Sequence, residues 1–169
     1  MITGEVVMST NLRIGQGYDV HAFEAGDHVT LGGVAIPHTA GIKAHSDGDV
    51  VLHALCDALL GAAALGDIGM HFPDTDVKWK GADSRDLLRH VMSLLKAQSY
   101  KVVNADVTVL ADAPRIGKYR EQMRLNIAAD LNVGISQVNI KATTSEGMGF
   151  IGKREGLACH AIVMIERIG

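Results

Sequence analysis

Asp19-Val20-His21 sets a carboxylate and an imidazole two residues apart. In an extended chain that spacing turns both side chains to one face, and together they make two-thirds of a zinc or manganese site. His53, inside an apolar stretch downstream, offers a third ligand of suitable type. Three protein ligands leave a fourth position open, the arrangement of catalytic rather than structural zinc. The same residues also suit a plainer role, a polar strand pair and a satisfied core histidine, and spacing alone leaves both readings standing.

Four further clusters carry chemistry. His45-Ser46-Asp47-Gly48-Asp49 leads into the stretch that holds His53. Backbone N–H groups at a helix start, with a serine hydroxyl and a histidine beside them, suit an anion. The charges of Asp47 and Asp49 repel one, and a simple capped helix start is the alternative. Asp67-Ile68-Gly69 and Phe72-Pro73-Asp74-Thr75-Asp76 form a carboxylate-rich segment able to accept from sugar hydroxyls, or to make an ordinary solvated turn. Ala111-Asp112-Ala113-Pro114-Arg115 offers backbone groups to a base edge. Thr143-Thr144-Ser145-Glu146-Gly147 offers hydroxyls for phosphate oxygens and a carboxylate for a hard ion such as magnesium. No Walker A loop occurs. Cys56 and Cys159 have no ligand partner at metal spacing and read as core.

The elements that must position these groups follow from periodicity. Leu12 to Val20 reads as a strand, and Val29 to Ile36 as a hairpin turning at Gly32-Gly33. Ser46 or Asp47 is expected to cap a buried helix running to about Leu65. Gly66 to Gly81 reads as a loop. Asp83 caps a helix whose Leu87, Leu88, Val91, Leu94 and Leu95 form an amphipathic stripe. Val102 to Leu110 reads as a strand with Val103, Ala105, Val107 and Val109 on one face. Pro114 is expected to open a helix reaching Leu131, and Val138 to Thr143 and Leu157 to Ile168 are further strands. The last carries Ala161, Val163 and Ile165 on one face and Ile162 and Met164 on the other, so another subunit is expected to cover the second face. The whole predicts one α/β (α+β) domain, a mixed sheet with helices packed on one face.

The chain has 169 residues, 47% of them hydrophobic and 21% charged, enough for one domain with its own core. Sixteen basic residues against nineteen acidic give a net charge of −3, and aromatics are only 4%. That balance disfavours nucleic acid as a partner. No run approaches the roughly 20 apolar residues of a membrane span. Two cysteines and no secretory signal suit a reducing, cytoplasmic setting. Residues 1–11 are expected to be an N-terminal extension or tag remnant ahead of a domain over residues 12–169.

Gly17-Tyr18-Asp19-Val20-His21, His45-Ser46-Asp47-Gly48-Asp49 with His53, Ala142-Thr143-Thr144 and Glu155-Gly156, in this order, resemble the 2-C-methyl-D-erythritol 2,4-cyclodiphosphate synthase family from Arg13 almost to the C-terminus. The resemblance implies a homotrimer joined through the sheet faces, with active sites between subunits. It implies a substrate, 4-diphosphocytidyl-2-C-methyl-D-erythritol 2-phosphate, whose 2-phosphate attacks the β-phosphorus and expels CMP. By position, Asp19, His21 and His53 would hold zinc, and Glu146 magnesium or manganese across the diphosphate. His45 and Thr144 would stabilise the transition state. Substrate contacts would include Asp19, Val20, His21, His45, Ser46, Asp67, Ile68, Gly69 and Phe72, Pro73, Asp74, Thr75 and Asp76. Ala111, Asp112, Ala113, Pro114, Arg115, Ile116 and Gly117 of the neighbouring subunit would hold cytosine, and Thr143, Thr144, Ser145, Glu146, Phe150 and Lys153 would also contact substrate.

Two positions depart from the family pattern. Gln16 stands where some members carry histidine. Lys153-Arg154 stands where members often have arginine bordering an axial cavity that holds an isoprenoid diphosphate, and lysine lacks the bidentate fork. Rival readings are a metal-dependent phosphohydrolase on the same triad and a non-catalytic trimer binding isoprenoid diphosphates.

Overall fold

How closely a helix can lie on the sheet is decided by two glycines of strand β1 (Leu12–Glu24). Alternation turns Gly15, Gly17, Asp19 and His21 inward and leaves Ile14, Gln16, Tyr18 and Val20 outward. In the computed structural model, which describes residues 10–73, 75, 76, 79 and 81–168, helix α1 (Val50–Ala62) crosses the inward face. Its buried Ala54, Ala58 and Ala62 stand one turn apart along the contact. A Cβ at Gly15 would fall 1.9 Å from the Ala58 carbonyl oxygen, and one at Gly17 1.9 Å from that of Ala54. Helix and strand backbones therefore meet with only hydrogen between them.

Strands β2 (His28–Leu31) and β3 (Val34–Pro37) form a separate hairpin. It turns at Gly32 and Gly33, whose φ of +58° and +70° suit a two-residue connection. The main sheet takes β4 (Gly41–Ile42), β5 (Tyr100–Leu110), β6 (Val138–Thr143) and β7 (Gly156–Arg167) in the order β4-β1-β7-β5-β6. All its pairs are antiparallel except β5 with β6, so the sheet is mixed as expected. Helix α3 (Ser84–Ala97) packs Leu87, Leu88, Val91 and Leu95 against α1, and α4 (Arg120–Leu131) packs beside α3 and β6. Each such buried aliphatic side chain contributes roughly 1.5–3 kcal/mol. No helix among the described residues is long and apolar enough to cross a membrane.

The hairpin is fastened to the helices by polar groups. Asp49, fully buried, accepts from the amides of Gly32 and Gly33 at 2.9 and 2.7 Å and from those of Val51 and Leu52 at 3.1 Å. Asn126 Nδ2 donates to the carbonyls of Gly32 and Gly33, both at 3.1 Å. Burial pushes the Asp49 carboxyl up to about 6, against the downward pull of the Gly33 and Gly32 amides.

Several sequence expectations change here. The cap of α1 is Asp49, not Ser46 or Asp47, because only its side chain reaches the free amides, and the helix stops at Ala62. Strand β1 runs on to Glu24, its polar Asp19 and His21 facing a cavity rather than ending the strand. An irregularity between Val102 and Asn104 takes Val103 out of register, so Val102 joins Ala105, Val107 and Val109 in the core. Pro114 does not open a helix: α4 begins at Arg120, and Pro114 follows a cis peptide in the turn before it. Short helix α2 (Ile68–His71) lies within the expected loop Gly66 to Gly81, and a further short helix, α5 (Gly149–Gly152), follows β6. The second face of β7 is not covered within the chain, since Ile162 stays half exposed. Asp74 and residues 1–9 of the expected extension lie outside the described residues.

The close approach yields a prediction. Gly17→Ala should cost about 3 kcal/mol, the upper range for overpacking a tight contact, because the obstructing atoms are helix backbone. A urea midpoint unchanged from the parent would refute the contact.

Candidate active site

Beyond Gly17 the inward face of β1 continues with Asp19 and then His21, beside the first turns of α1, where His53 stands. Three atoms converge there. Asp19 Oδ2 lies 3.0 Å from His21 Nε2 and 3.1 Å from His53 Nδ1, and the two nitrogens are 3.0 Å apart. A tetrahedral zinc with bonds of 2.0–2.1 Å spaces its ligand atoms about 3.3 Å apart, so this triangle needs little adjustment to hold a divalent ion. Its donor set of two imidazole nitrogens and one carboxylate oxygen suits zinc and similar metals. Among the described residues this is the one cluster of histidine, cysteine and carboxylate groups placed to hold a metal.

Neighbouring groups orient the triangle. The Val20 amide donates to Asp19 Oδ1 at 2.8 Å, leaving Oδ2 for the histidines. Burial raises the Asp19 carboxyl, but hydrogen bonds and charge from His21 and His53 outweigh it and hold the group well below the usual carboxylate range. At His53 burial disfavours the cation, yet the Asp19 hydrogen bond and the charges of Asp19, Asp49 and Asp47 prevail and shift its pKa upward. The locus attracts positive charge.

The triangle opens into a cavity of about 580 Å³. Its lining brings together Asp19, His21, His45, Ser46, His53, Ile68, Gly69, Phe72, Thr75 and Asp76 from the sequence expectations. Asp67 caps α2, accepting from the Met70 amide at 2.9 Å, and its neighbour Ile68 donates its amide to Asp57 at 2.7 Å. Pro73 is exposed beside them. Val20 contributes its amide only, because its side chain faces the other side of the sheet.

The remaining residues assemble elsewhere. Strands β7 and β5 separate β1 from β6. At the C-terminal ends of β5 and β6 the Ala111 amide donates to the Thr143 carbonyl at 3.1 Å, and the Ser145 amide to Asp112 at 3.2 Å. Thr144 Oγ1 donates to Glu146 Oε1 at 2.7 Å, in a turn where Glu146 adopts φ +54°. Ala113, Pro114, Arg115 and Gly117 follow in the loop after β5, while Ile116 is buried in the core. Phe150 lies partly exposed on α5, and Lys153 is exposed at its end. None of these lines the cavity. Both sets nevertheless occupy one end of the sheet, for Asp19 and Val109 pair with the same residue, Cys159, from opposite sides.

Sequence reasoning missed Lys43, Trp79 and Leu87 in the cavity wall. Lys43 precedes His45 by two residues, just after β4, and a cation so close to the His45-Ser46 cluster is a usable signal. Trp79 packs edge-on to Phe72 at 4.9 Å, and Phe72 in turn to His90 at 5.4 Å, a cluster that no local pattern announces.

A model of the YgbB family matches residues 12–166. The 2-C-methyl-D-erythritol 2,4-cyclodiphosphate synthase of Azotobacter vinelandii is 62% identical over 154 residues, covering 91% of this chain and 98% of that protein. Among solved structures, the bifunctional IspDF of Campylobacter jejuni superposes with a TM-score of 0.91 at 42% identity, over 95% of this chain and 43% of that one. The IspF of Plasmodium falciparum in its CDP complex gives a TM-score of 0.83 at 35% identity, over 95% of this chain and 100% of that one. With the Asp19, His21 and His53 triangle placed where a metal would sit, the chain belongs to the YgbB family, that of the 2-C-methyl-D-erythritol 2,4-cyclodiphosphate synthases.

Proposed function

We propose that the chain converts 4-diphosphocytidyl-2-C-methyl-D-erythritol 2-phosphate into 2-C-methyl-D-erythritol 2,4-cyclodiphosphate and CMP, a step of non-mevalonate isoprenoid synthesis. The observation that carries this reading is the convergence of Asp19 Oδ2, His21 Nε2 and His53 Nδ1 within 3.0–3.1 Å of one another at the cavity wall. An oxygen of the 2-phosphate bonds to the β-phosphorus, the bond from that phosphorus to the bridging oxygen breaks, and its electrons leave with CMP. Neither water nor a side-chain nucleophile is consumed.

A divalent ion at the triangle (zinc by its donor set), and magnesium or manganese at Glu146, would neutralise charge on the approaching phosphates when bound. The side chains supply position. His45 donates to phosphate oxygens as charge shifts between them, and Thr144 would do so once a cation at Glu146 released its hydroxyl from that carboxylate. Ser46 adds a hydroxyl and Lys43 a cation from the same wall. Asp67 and Gly69 receive the ribose, and backbone groups of residues 111–117 receive cytosine. Holding attacker and leaving group in line can supply roughly 7–11 kcal/mol of the barrier reduction.

In this reading the two sets of residues meet across copies of the chain, three of which pack through the outward sheet face. That face leaves Ile14 68% and Ile162 50% exposed, with Tyr18 and Val20 close to half exposed, which supports coverage by a second copy. The CDP complex of the Plasmodium falciparum relative supports a cytidine diphosphate ligand. An isoprenoid diphosphate along the trimer axis, bordered by Lys153 and Arg154, and a cytoplasmic setting, which two free buried cysteines fit, complete the reading.

Phosphorus NMR of the protein with substrate, magnesium and zinc should develop the coupled resonances of a cyclic diphosphate together with CMP. Inorganic phosphate in their place would point to a phosphohydrolase instead. His53→Ala should lower turnover by at least about 10²-fold, the loss expected from removing one electrostatic group, while its circular dichroism stays that of the parent. The chain's single tryptophan, Trp79, lines the cavity, so titrating CDP with magnesium should change its fluorescence saturably; a flat titration would place the nucleotide elsewhere.

A further inference from the structure

His53 is held on both sides of its ring. Nδ1 faces Asp19 and His21, and the opposite nitrogen, Nε2, lies 2.9 Å from Ser84 Oγ and 3.1 Å from Ser46 Oγ. Ser84 is the first residue of α3 and is fully buried. Its hydroxyl donates to Asp47 Oδ1, and its amide donates to Asp47 Oδ2 at 3.0 Å. The Asp49 amide donates to Asp47 Oδ1 as well, at 3.2 Å. Asp47 is thus fixed by backbone on both carboxylate oxygens.

A hydroxyl has one proton. The Ser84 proton is committed to a carboxylate, which has none to return. Toward His53 the Ser84 oxygen can therefore only accept, which places a proton on Nε2; the proton that Nδ1 gives to the Asp19 carboxylate in this structure is then the one a metal would displace, freeing the Nδ1 lone pair for the triangle. We propose that Asp47 and Ser84 are positioning residues: through a carboxylate–hydroxyl–imidazole chain they select the His53 tautomer that can bind a metal through Nδ1. Histidine ligands commonly give their second N–H to a carboxylate or carbonyl, which fixes tautomer and ring orientation; here a serine stands between imidazole and carboxylate. The chain has a consequence at Ser46. Its oxygen accepts from the Gly48 amide at 3.2 Å and faces the same Nε2 proton, so its own proton is left to donate into the cavity, where a phosphate oxygen would lie.

This role for Asp47 and Ser84 rests on the triangle being a divalent-metal site. It is tested on the full chain by titrating zinc against a chromogenic chelator. Ser84→Ala and Asp47→Asn should each bind zinc about 10–100-fold more weakly than the parent, the loss typical for such outer partners. Asp47→Asn acts by a different route from Ser84→Ala, since the introduced amide can donate to Ser84 and turn that hydroxyl's proton toward His53. Nitrogen-15 spectra of the zinc-loaded parent should show a His53 Nε2 proton protected from exchange, and the variants should lose that protection at an unchanged urea midpoint. Should a variant fail to fold, the parent spectrum still decides, because a rapidly exchanging Nε2 proton overturns the proposal. Parent-like zinc affinity in both variants also overturns it. Absence of zinc binding in the parent would instead sink the metal reading on which it stands.

Discussion

The depth at which helix α1 sits on strand β1 governs everything that follows. A helix packed on a sheet through ordinary side chains keeps its axis roughly 10 Å away, the usual spacing of packed layers, and a first-turn histidine would then hang above the strand's polar residues rather than among them. Here Gly15 and Gly17 leave no Cβ at the contact, and a carbon placed there would lie 1.9 Å from helix carbonyl oxygens. The alanines of α1 meet this bare strip at one-turn intervals. Because the strand runs on from Gly17 to Asp19 and His21, the same contact that seats the helix delivers His53 to within 3.1 Å of the Asp19 carboxylate. Packing and ligand geometry are one constraint, so a loss of either is felt by both.

Carboxylates around the start of α1 divide the electrostatic work by their surroundings. Asp49 is sealed away and commits both oxygens to four backbone amides, tying the hairpin turn to the helix. Asp47 is held by the Ser84 and Asp49 amides and reaches His53 only through a hydroxyl. Asp19 is the one whose oxygen meets the imidazoles directly. Three like charges near one another are costly unless each has donors, and none of the described buried side-chain polar atoms lacks a partner. What the three leave in common is a negative potential at the open triangle, matched to a cation.

Much of this is legible in residue order because strands and amphipathic helices carry their own periods. The pairing of Asp19 with His21 is a property of any extended strand, and the α3 stripe of Leu87, Leu88, Val91 and Leu95 is a property of any helix. What cannot be read is what depends on contacts between distant segments. Asp47 resembles a helix cap because it has the right type at nearly the right place; Asp49 displaces it because only Asp49 faces both the helix amides and a hairpin turn 16 residues earlier. Ser84 reads as an ordinary helix start, since its partners lie on another element. Val103 steps out of the core through an irregularity that alternation cannot foresee. Pro114 has the type of a helix opener, yet the chain there is committed to the turn that joins Ala111 and Asp112 to Thr143 and Ser145.

The division of the site residues into two sets follows from sheet topology rather than from accident. The proposed metal-ligating strand β1 sits under α1, and the turn proposed to meet phosphate lies where the parallel strands β5 and β6 end. Strand β7 separates them, and both fall at the same end because Cys159 aligns Asp19 with Val109. A single chain therefore carries a complete copy of each half but holds them apart along its own sheet. In the proposed trimer, rotation of identical chains about an axis along the exposed outward face would bring one copy's Glu146 turn to another's Asp19 triangle while burying Ile14, Tyr18 and Ile162. Under the proposed assembly, the apolar face and the split site are two consequences of one geometry. Weakening the face would then lower activity even with every catalytic side chain intact.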